Sequence, residues 1–227
     1  MVYLKLLRPK DWAKNLFLYL PLFFSGDVFN LIKLFDVFEG FVAFCCIASS
    51  IYIINDYADI ENDRMHPEKR NRPLASGKAK PAIALAIAAF LIITGFLIAY
   101  HQGNRFFSLV AIYFSLNIAY SFGLKNIPIL DIIIIAIGFS LRIRSGGAIA
   151  AVEVTIWMNI MVFLLALFMA IGKRRDDVLL TLSSGVNMRK AIEGYTLDFL
   201  NTLLALISAV MIVSYFMYTV SDRVIER

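Results

Sequence analysis

The sequence has few cysteines, no leader pattern and no pattern of a membrane β-barrel. Its only cysteines, Cys45 and Cys46, are adjacent within an apolar run, which excludes an ordinary structural disulfide between them and indicates that they pack as small apolar side chains. The first residues lack a charged segment followed by an apolar stretch and a small-residue cleavage site, so we expect no removed signal peptide. The apolar runs do not alternate with polar residues, which excludes a barrel.

What the sequence has in abundance is apolar residues in long runs. Hydrophobic residues make up 60% of the 227 residues, charged residues only 17%, and the mean hydropathy is +0.74. A soluble domain of this length cannot bury so much apolar surface, so we predict an all-α, polytopic transmembrane helical bundle formed by a single domain over residues 1–227. The predicted spans, about seven, cover residues 12–32, 38–58, 81–101, 105–123, 128–150, 155–172 and 197–220.

Basic residues concentrate on one side of the predicted bundle. If the N-terminus is cytoplasmic, sixteen of the 22 Lys and Arg residues lie on the cytoplasmic side, whereas the opposite side keeps only Lys33, Arg105, Arg223 and Arg227. The positive-inside rule therefore predicts a cytoplasmic N-terminus. The net charge of +5 requires no nucleic-acid partner, because basic cytoplasmic loops are expected beside anionic lipids.

Four closely spaced polar residues, Asn55, Asp56, Asp59 and Asp63, end the second predicted span. On a continuous helix, Asn55, Asp59 and Asp63 recur every four residues and form one column about 12 Å tall, with Asp56 on the adjoining edge. Mutually repulsive carboxylates beside a membrane span are stable only if they are solvated, protonated or bridged by cations. Bound Mg²⁺ is the most specific of these interpretations.

A basic loop follows this acidic segment. Lys69, Arg70 and Arg72 can contact phosphate oxygens, Arg through paired hydrogen bonds and Lys as a point charge. Acids that bind cations next to bases that bind phosphate indicate a diphosphate site, although an ordinary basic loop beside the membrane explains the same residues. Lys14 has the same two interpretations, a membrane-interface anchor or a phosphate contact, and His66 alone is interpreted as structural.

Two ionisable residues fall inside the fifth predicted span. Asp131 and Arg142 are eleven residues apart, about 20° around a helix, so both can face the bundle interior. Their axial separation of about 16 Å excludes a direct pair, so Arg142 must meet another helix, water or substrate. Asp131 lies in the first turn of the predicted helix, where the helix macrodipole stabilises an acidic side chain, so a purely structural role also explains this residue. The polar segment after Gly172 is either a substrate lid or a simple connection.

The acidic segment, read as Asn-Asp-x-x-Asp-x-x-x-Asp from Asn55 to Asp63, resembles the first aspartate-rich motif of the UbiA superfamily of intramembrane prenyltransferases, whose members use Mg²⁺ to engage a diphosphate leaving group. Four further motifs are similar to its polyprenyl-phosphate phosphoribosyltransferase branch, which includes decaprenyl-phosphate phosphoribosyltransferase. They are Arg8-Pro9-x-x-Trp12-x-Lys14-Asn15, His66-Pro67-x-Lys69-Arg70-x-Arg72-Pro73, Tyr120-Ser121-x-x-Leu124-Lys125 with Asp131, and Gly172-Lys173-Arg174.

The resemblance implies Mg²⁺-dependent transfer of a 5-phosphoribosyl group from phosphoribosyl diphosphate to a polyprenyl phosphate of a bacterial or archaeal cytoplasmic membrane, with an active site that faces the cytoplasm. The implied catalytic residues are Asp56, Asp59, Asp63 and Asp131. The implied Mg²⁺ ligands are Asn55, Asp56, Asp59 and Asp63. The implied substrate-binding residues are Lys14, Asn55, Lys69, Arg70, Arg72, Tyr120, Lys125, Arg142 and Lys173.

The sequence departs from the wider superfamily in two respects. Aromatic prenyltransferases usually have a second aspartate-rich motif, whereas Asp131 is the lone acid in that region. The superfamily typically has nine spans, so this chain resembles that fold without its last two helices, as expected for a truncated or short variant.

Two alternative functions stay open: transfer of a prenyl chain from prenyl diphosphate to an aromatic or other acceptor, and cation-coupled transport along intramembrane Asp and Arg residues. The sequence specifies no oligomeric state.

Overall fold

A computed structural model describes residues 2–65, 67, 69–184 and 190–221 of the chain. Helices provide all the regular structure of these residues, among which there is no β-strand. The predicted all-α fold class is therefore confirmed. Of the residues named above, His66, Arg223 and Arg227 lie outside the described part of the chain.

Within the described residues, six helices are long and apolar enough to cross a membrane. They are α1 (Leu31–Ala58), α2 (Pro81–His101), α3 (Asn104–Phe122), α4 (Leu130–Ala150), α5 (Ile156–Ser184) and α6 (Leu197–Thr219). Their exposed surfaces carry large apolar side chains, such as Phe90 on α2 and Phe216 on α6. Surfaces of this kind are stable against lipid rather than water, so the chain is a multi-pass integral membrane protein.

The first predicted span, residues 12–32, is not one long helix. It is divided among a 3₁₀-helix at Pro9–Tyr19, a short α-helix at Leu20–Phe24 and a 3₁₀ turn at Asp27–Phe29. Pro21 supplies no backbone N–H group, and Gly26 adopts a φ of 85°, a left-handed conformation that ends the short helix. In the sequence, Pro21 and Ser25-Gly26-Asp27 interrupt this apolar run, and the structure divides the predicted span at these residues.

Two of the long helices extend beyond their predicted limits because polar side chains stabilise their ends. α1 begins at Leu31 rather than at residue 38, since the side chain of Asn30 accepts hydrogen bonds from two N–H groups of the first turn. α5 continues past residue 172 to Ser184, and an ion pair between Arg174 and Asp177 supports this polar extension. The segment interpreted as a lid or a connection thus begins as helix.

The acidic segment is divided between two helices. α1 ends at Ala58, Asp59 has φ −98° and ψ 9°, and a separate short helix covers Ile60–Met65. The single column predicted for an unbroken helix is therefore wrong. The buried carboxylates of the segment are Asp56 and Asp63, which lie on different helices.

The chain divides into two compact units. Unit 1 comprises the described residues up to Phe122 together with Leu141–Glu153, and unit 2 comprises Gly123–Ser140 and the described residues from Val154 onward. In unit 1, α1 packs against α2 and α3, and Gly95 of α2 allows a close approach to Ile47 of α1. In unit 2, α5 packs along α6 around a buried apolar cluster.

α4 is continuous through Ser145–Gly147. Arg144 is consequently exposed, while Arg142 is buried. Within unit 1, Gly146 lies directly against the Leu18 carbonyl group, where the Cβ atom of any other residue would overlap the backbone. This glycine therefore permits the N-terminal segment to pack closely against α4.

Candidate functional site

Four charged side chains of unit 1 form an alternating arrangement, here called the ion cluster: Arg8, Asp56, Arg72 and Asp63. Asp56 Oδ1 accepts hydrogen bonds from Arg8 Nη2 at 2.5 Å and from Arg72 Nη1 at 3.0 Å. The same Arg72 Nη1 atom donates to Asp63 Oδ2 at 2.7 Å. Each carboxylate is thus in contact with at least one guanidinium group, and Arg72 bridges the two carboxylates.

The carboxylates of the ion cluster are buried, whereas its guanidinium groups reach the surface. Asp56 and Asp63 are each 3% exposed, and the side chains of Arg8 and Arg72 are 24% and 25% exposed. Buried carboxylates lose hydration, which the guanidinium groups replace by charge-assisted hydrogen bonds. Because the guanidinium groups remain partly exposed, a ligand from solution can reach them without displacing a core element.

Arg8 is held in a backbone conformation that few non-glycine residues adopt. Its φ of 49° and ψ of 61° lie in the left-handed region, although a residue before proline favours extended backbone. Such strain costs on the order of 1–3 kcal/mol and persists only where neighbouring contacts impose it. Here the Leu7 carbonyl accepts a hydrogen bond from Ser49 Oγ at 2.8 Å, and the Arg8 guanidinium carbon lies 4.9 Å from the centre of the Tyr52 ring. These contacts direct Arg8 onto Asp56.

The donor chemistry of the ion cluster suits the predicted Mg²⁺. Among the described residues, no group of three or more His, Cys, Asp or Glu side chains is arranged to hold a metal ion. Two carboxylate oxygens, from Asp56 and Asp63, nevertheless converge on one nitrogen atom of Arg72. Mg²⁺ commonly binds through one or two carboxylates plus substrate phosphates. The pair therefore fits a metal ion that is bound together with a phosphate-bearing ligand.

The other predicted residues of the acidic segment and the basic loop are less buried than the two carboxylates. Asn55 and Asp59 are half-buried, and the N–H group of Asp59 donates to the Asn55 carbonyl at 3.0 Å. Lys69 is half-buried and Arg70 is exposed, both in the 3₁₀ turn just before Arg72. The structure thus brings Arg72 of this loop to both buried carboxylates.

Four further predicted substrate-binding residues lie elsewhere in the two units. Lys14, in unit 1, is 47% exposed in its side chain and pairs with Asp11 Oδ1 at 2.6 Å. Tyr120 is half-buried near the end of α3 in the same unit. In unit 2, Lys125 is half-buried in a 3₁₀ turn and Lys173 is exposed on α5.

Arg142 meets partners from two other segments of unit 1. It is 5% exposed, and it donates from Nε to Asn15 Oδ1 at 2.9 Å and from Nη2 to the Tyr113 hydroxyl at 2.7 Å. Its guanidinium carbon also lies 4.8 Å from the centre of the Tyr113 ring, a cation–π contact. The expectation that Arg142 needs a partner outside its own helix is confirmed. Its contact with substrate stays a prediction.

Asp131 lies in a second buried cluster, which belongs to unit 2. It is 0% exposed, and its Oδ2 accepts a hydrogen bond from Arg174 Nε at 2.5 Å. Its Oδ1 accepts another from the Tyr195 hydroxyl at 2.6 Å. Arg174 also donates from Nη1 to Asp177 at 2.7 Å. Both carboxylate oxygens of Asp131 thus have protein donors, and its catalytic role stays a prediction.

Tyr195 joins Asp131 to a strained turn at the start of α4. The Tyr195 hydroxyl accepts a hydrogen bond from the N–H group of Ile129 at 2.6 Å. Ile129 has a φ of 69°, which is unfavourable for a β-branched residue. Burial, and secondarily the hydrogen bond to Asp131, raises the pKa of the Tyr195 hydroxyl above its ordinary value.

We expect Tyr195→Phe to lower the free energy of unfolding by about 1–3 kcal/mol, because it leaves the Ile129 N–H group and an Asp131 oxygen without this partner. Since folding raises the pKa of Tyr195, its contribution is complete below the ordinary value of 10.0 and declines as the pH rises above it. The stability difference between wild type and variant should therefore be constant up to pH 10 and shrink above it. Denaturation of the detergent-solubilised protein at several pH values measures this difference.

Tyr215→Phe is the matched control for that experiment, because Tyr215 is 56% exposed on α6. It removes the same hydroxyl group from a surface position and should change stability by less than about 0.5 kcal/mol. A Tyr195→Phe variant as stable as this control would contradict the structural role of the Tyr195 hydroxyl.

Sequence reasoning did not select Arg8, Arg174 or Tyr195 as site residues. Arg8 is 48 residues from Asp56, and Tyr195 is 64 residues from Asp131, separations at which spacing carries no geometric information. The only signal lay in the quoted motifs, since Arg8 and Arg174 each belong to one of them. A basic residue in such a motif is a candidate partner for an acidic residue that has no basic partner on its own helix.

Similarity to known proteins covers most of the chain. A model of the UbiA prenyltransferase family matches residues 18–179. Decaprenyl-phosphate phosphoribosyltransferase from Corynebacterium glutamicum is 37% identical over 216 residues, which cover 93% of this chain and 65% of that protein. The protein of the same name from Mycolicibacterium smegmatis is 36% identical over 225 residues, which cover 97% of this chain and 71% of that protein. The chain thus spans about two thirds of the length of these curated relatives.

A solved structure shares the fold. The UbiA homologue from Archaeoglobus fulgidus bound to DMAPP and Mg²⁺ aligns with a TM-score of 0.79 and 21% sequence identity. The alignment covers 99% of this chain and 81% of that chain. At this level of identity the likeness concerns the fold alone.

Proposed function

The chain belongs to the UbiA prenyltransferase family, and from this membership we propose that it transfers a 5-phosphoribosyl group from phosphoribosyl diphosphate to a membrane polyprenyl phosphate and releases diphosphate. The two relatives named decaprenyl-phosphate phosphoribosyltransferase support this choice within the family. The observation that carries the proposal is the ion cluster, in which two buried carboxylates meet two partly exposed guanidinium groups. Such a set of charges suits a ligand that contains both a divalent cation and a diphosphate.

The ion cluster and the N-terminus would face the cytoplasm of a bacterial or archaeal cell. The distribution of Lys and Arg residues supports this orientation. A highly charged, soluble donor would then reach the cluster from the cytoplasm, while the polyprenyl tail of the acceptor would stay in the lipid.

In the proposed reaction, an oxygen of the acceptor phosphate attacks C1 of the ribose. The bond between C1 and the diphosphate oxygen breaks, and its electron pair leaves with the diphosphate. A phosphate monoester has its second pKa at about 6, so the acceptor is largely ionised at neutral pH and needs no general base. Bound Mg²⁺ would stabilise the negative charge of the departing diphosphate.

The acidic segment and the basic loop would divide the work of binding the donor. Asp56 and Asp63 would hold the metal ion, with Asn55 and Asp59 as the further oxygen ligands that the motif implies. Arg72 would bind phosphate oxygens, together with Lys69 and Arg70 of the same turn. The remaining proposed substrate contacts are Lys14, Tyr120, Lys125, Arg142 and Lys173, with Asp131 as a ribose or metal ligand. Arg142 and Asp131 would have to exchange existing protein partners for substrate.

The second candidate function is transfer of a prenyl chain from prenyl diphosphate to an aromatic or other acceptor. This candidate is kept because the chain shares its fold with a homologue whose structure was solved with DMAPP and Mg²⁺. The ion cluster would serve either reaction, because both release diphosphate. Cation-coupled transport is a candidate from another functional class. It releases no diphosphate and forms no lipid product.

The proposal is tested with purified protein, Mg²⁺ and two parallel mixtures. One contains labelled phosphoribosyl diphosphate and polyprenyl phosphate, and the other contains a labelled prenyl diphosphate and 4-hydroxybenzoate. We expect a labelled lipid product in the first mixture only, and loss of that product on chelation of the metal. Product in the second mixture only, or in neither mixture, would overturn the proposed function.

A further inference from the structure

One oxygen of each carboxylate that would bind a metal ion is already in contact with an arginine side chain. Asp56 Oδ1 is in contact with Arg8 and Arg72, and Asp63 Oδ2 is in contact with Arg72. A metal ion bound to these two oxygens would compete with the guanidinium groups for the same lone pairs. Metal binding and rearrangement of the two arginines are therefore linked events.

The balance of charge decides which ligands the ion cluster can accept. Two carboxylates and two guanidinium groups neutralise each other in the cluster. A divalent cation alone would sit beside two positive charges, and a diphosphate alone would sit beside two negative charges, each at low exposure to water. When both arrive, the cation neutralises the carboxylates and the diphosphate neutralises the arginines. Each ligand thus removes the obstacle to the other.

We propose that Arg8 and Arg72 are exchangeable counter-ions that make the site bind Mg²⁺ and a diphosphate group together and disfavour either ligand alone. The inference rests on the proposed function in one respect, namely that the donor carries a diphosphate. The motif comparison assigned no role to Arg8. In this proposal Arg8 acts together with Arg72 to determine which ligand the site binds. A transferase with this property would not hold metal tightly until its donor is present.

The geometry of the two arginines suits exchange without unfolding. Both side chains are about one quarter exposed, so they can turn from a carboxylate to an incoming phosphate at the surface. Ser49 Oγ holds the Leu7 carbonyl just before Arg8, and the Tyr52 ring contacts the Arg8 guanidinium group, so these two contacts keep Arg8 beside the cluster. Guanidinium groups bind carboxylate and phosphate with the same paired geometry.

The test is a calorimetric titration of the purified full chain with Mg²⁺ alone, inorganic diphosphate alone, and Mg²⁺ in the presence of inorganic diphosphate. Arg72→Gln should bind Mg²⁺ alone about 5- to 150-fold more tightly than wild type, the range of a typical coupling between sites. Diphosphate should then increase its affinity for Mg²⁺ by a correspondingly smaller factor. Association of Mg²⁺ with diphosphate in solution is the same for every variant, so it cancels in the comparison.

Lys80→Gln is the matched control, because it removes one positive charge from the same loop at an exposed position without a side-chain contact to Asp56 or Asp63 among the described residues. It should leave the Mg²⁺ affinity within about twofold of wild type, as expected for a screened surface charge. Arg72→Lys, which keeps the charge but loses the planar fork, should be intermediate.

Two results would overturn the inference. One is Arg72→Gln protein that is folded and binds Mg²⁺ alone no more tightly than wild type. The other is wild-type protein whose affinity for Mg²⁺ is the same with and without diphosphate, after correction for the association of Mg²⁺ with diphosphate measured without protein. The proposed function fails separately: coupled binding without phosphoribosyl transfer would leave the counter-ion role and remove the reaction, whereas transfer without the affinity shift would do the reverse.

Discussion

Asp56→Asn is expected to lower phosphoribosyl transfer by about 10²- to 10³-fold while the chain remains folded. The estimate corresponds to the loss of one group that stabilises charge in a transition state. Asparagine keeps the size of the side chain and one oxygen, but it lacks the negative charge that pairs with the two guanidinium groups and would hold the proposed cation. Because Arg8 and Arg72 are partly exposed, water takes over much of their solvation in the variant.

Glu61→Gln is the matched control for Asp56→Asn. Glu61 belongs to the same acidic segment, but its side chain is 79% exposed and pairs with Arg64 at the surface. Loss of one exposed charge should leave the rate within about twofold of wild type, since surface ion pairs contribute little. If the initial rate of lipid labelling falls equally in both variants, or in neither, Asp56 does not have the proposed role.

Arg174→Met is expected to lower the free energy of unfolding by about 3–5 kcal/mol, the cost of leaving a buried charge without its partner. Arg174 is 2% exposed and Asp131 is 0% exposed. Arg174 Nε donates a hydrogen bond to Asp131 Oδ2 at 2.5 Å. Methionine fills a similar volume but donates no hydrogen bond. Asp131 would then keep only the Tyr195 hydroxyl as a donor among the contacts described above.

Two further variants separate loss of charge compensation from loss of packing. Arg175→Met changes the neighbouring residue, whose Nε donates to Asn201 at an exposed position, and should cost less than about 1 kcal/mol. The double variant Asp131→Asn with Arg174→Met removes both charges and should be more stable than Arg174→Met alone. Denaturation in detergent measures all three. Equal stability of Arg174→Met and Arg175→Met would contradict the buried pair.

The same variants bear on the role of Asp131. If Asp131 acts only through the fold, Asp131→Asn protein that remains folded should retain transfer activity. If Asp131 contacts substrate or metal, as the motif comparison predicts, folded Asp131→Asn protein should lose activity beyond any loss of stability. A comparison of the rate with the melting temperature of this variant separates the two roles.

Hydropathy predicted much of the fold because each membrane helix must satisfy its backbone within one continuous segment. Six of the predicted spans correspond to α1–α6. Single residues decide the remaining geometry: the side chain of Asn30 starts α1 earlier than predicted, whereas Pro21 and Gly26, which interrupt the apolar run in the sequence, divide the first span. Hydropathy averages over single residues and therefore does not locate the end of a helix.

The candidate site was predictable in composition but not in arrangement. Spacing on a helix selected Asp56 and Asp63, but it assumed that the helix continued through Asp59. Arg8 and Arg72 reach Asp56 from segments 48 and 16 residues away in sequence. Only the folded chain shows that the carboxylates, which were expected to be solvated, protonated or bridged by cations, are bridged by the protein's own arginines.

The most direct test of the proposed reaction is the mass of the lipid after incubation of the purified protein with Mg²⁺, phosphoribosyl diphosphate and polyprenyl phosphate. Mass spectrometry should show the acceptor lipid increased by one 5-phosphoribosyl group with wild-type protein and with Glu61→Gln, and only a trace of that product with Asp56→Asn. An unchanged lipid with folded, metal-supplied wild-type protein, or equal product from Asp56→Asn, would contradict it.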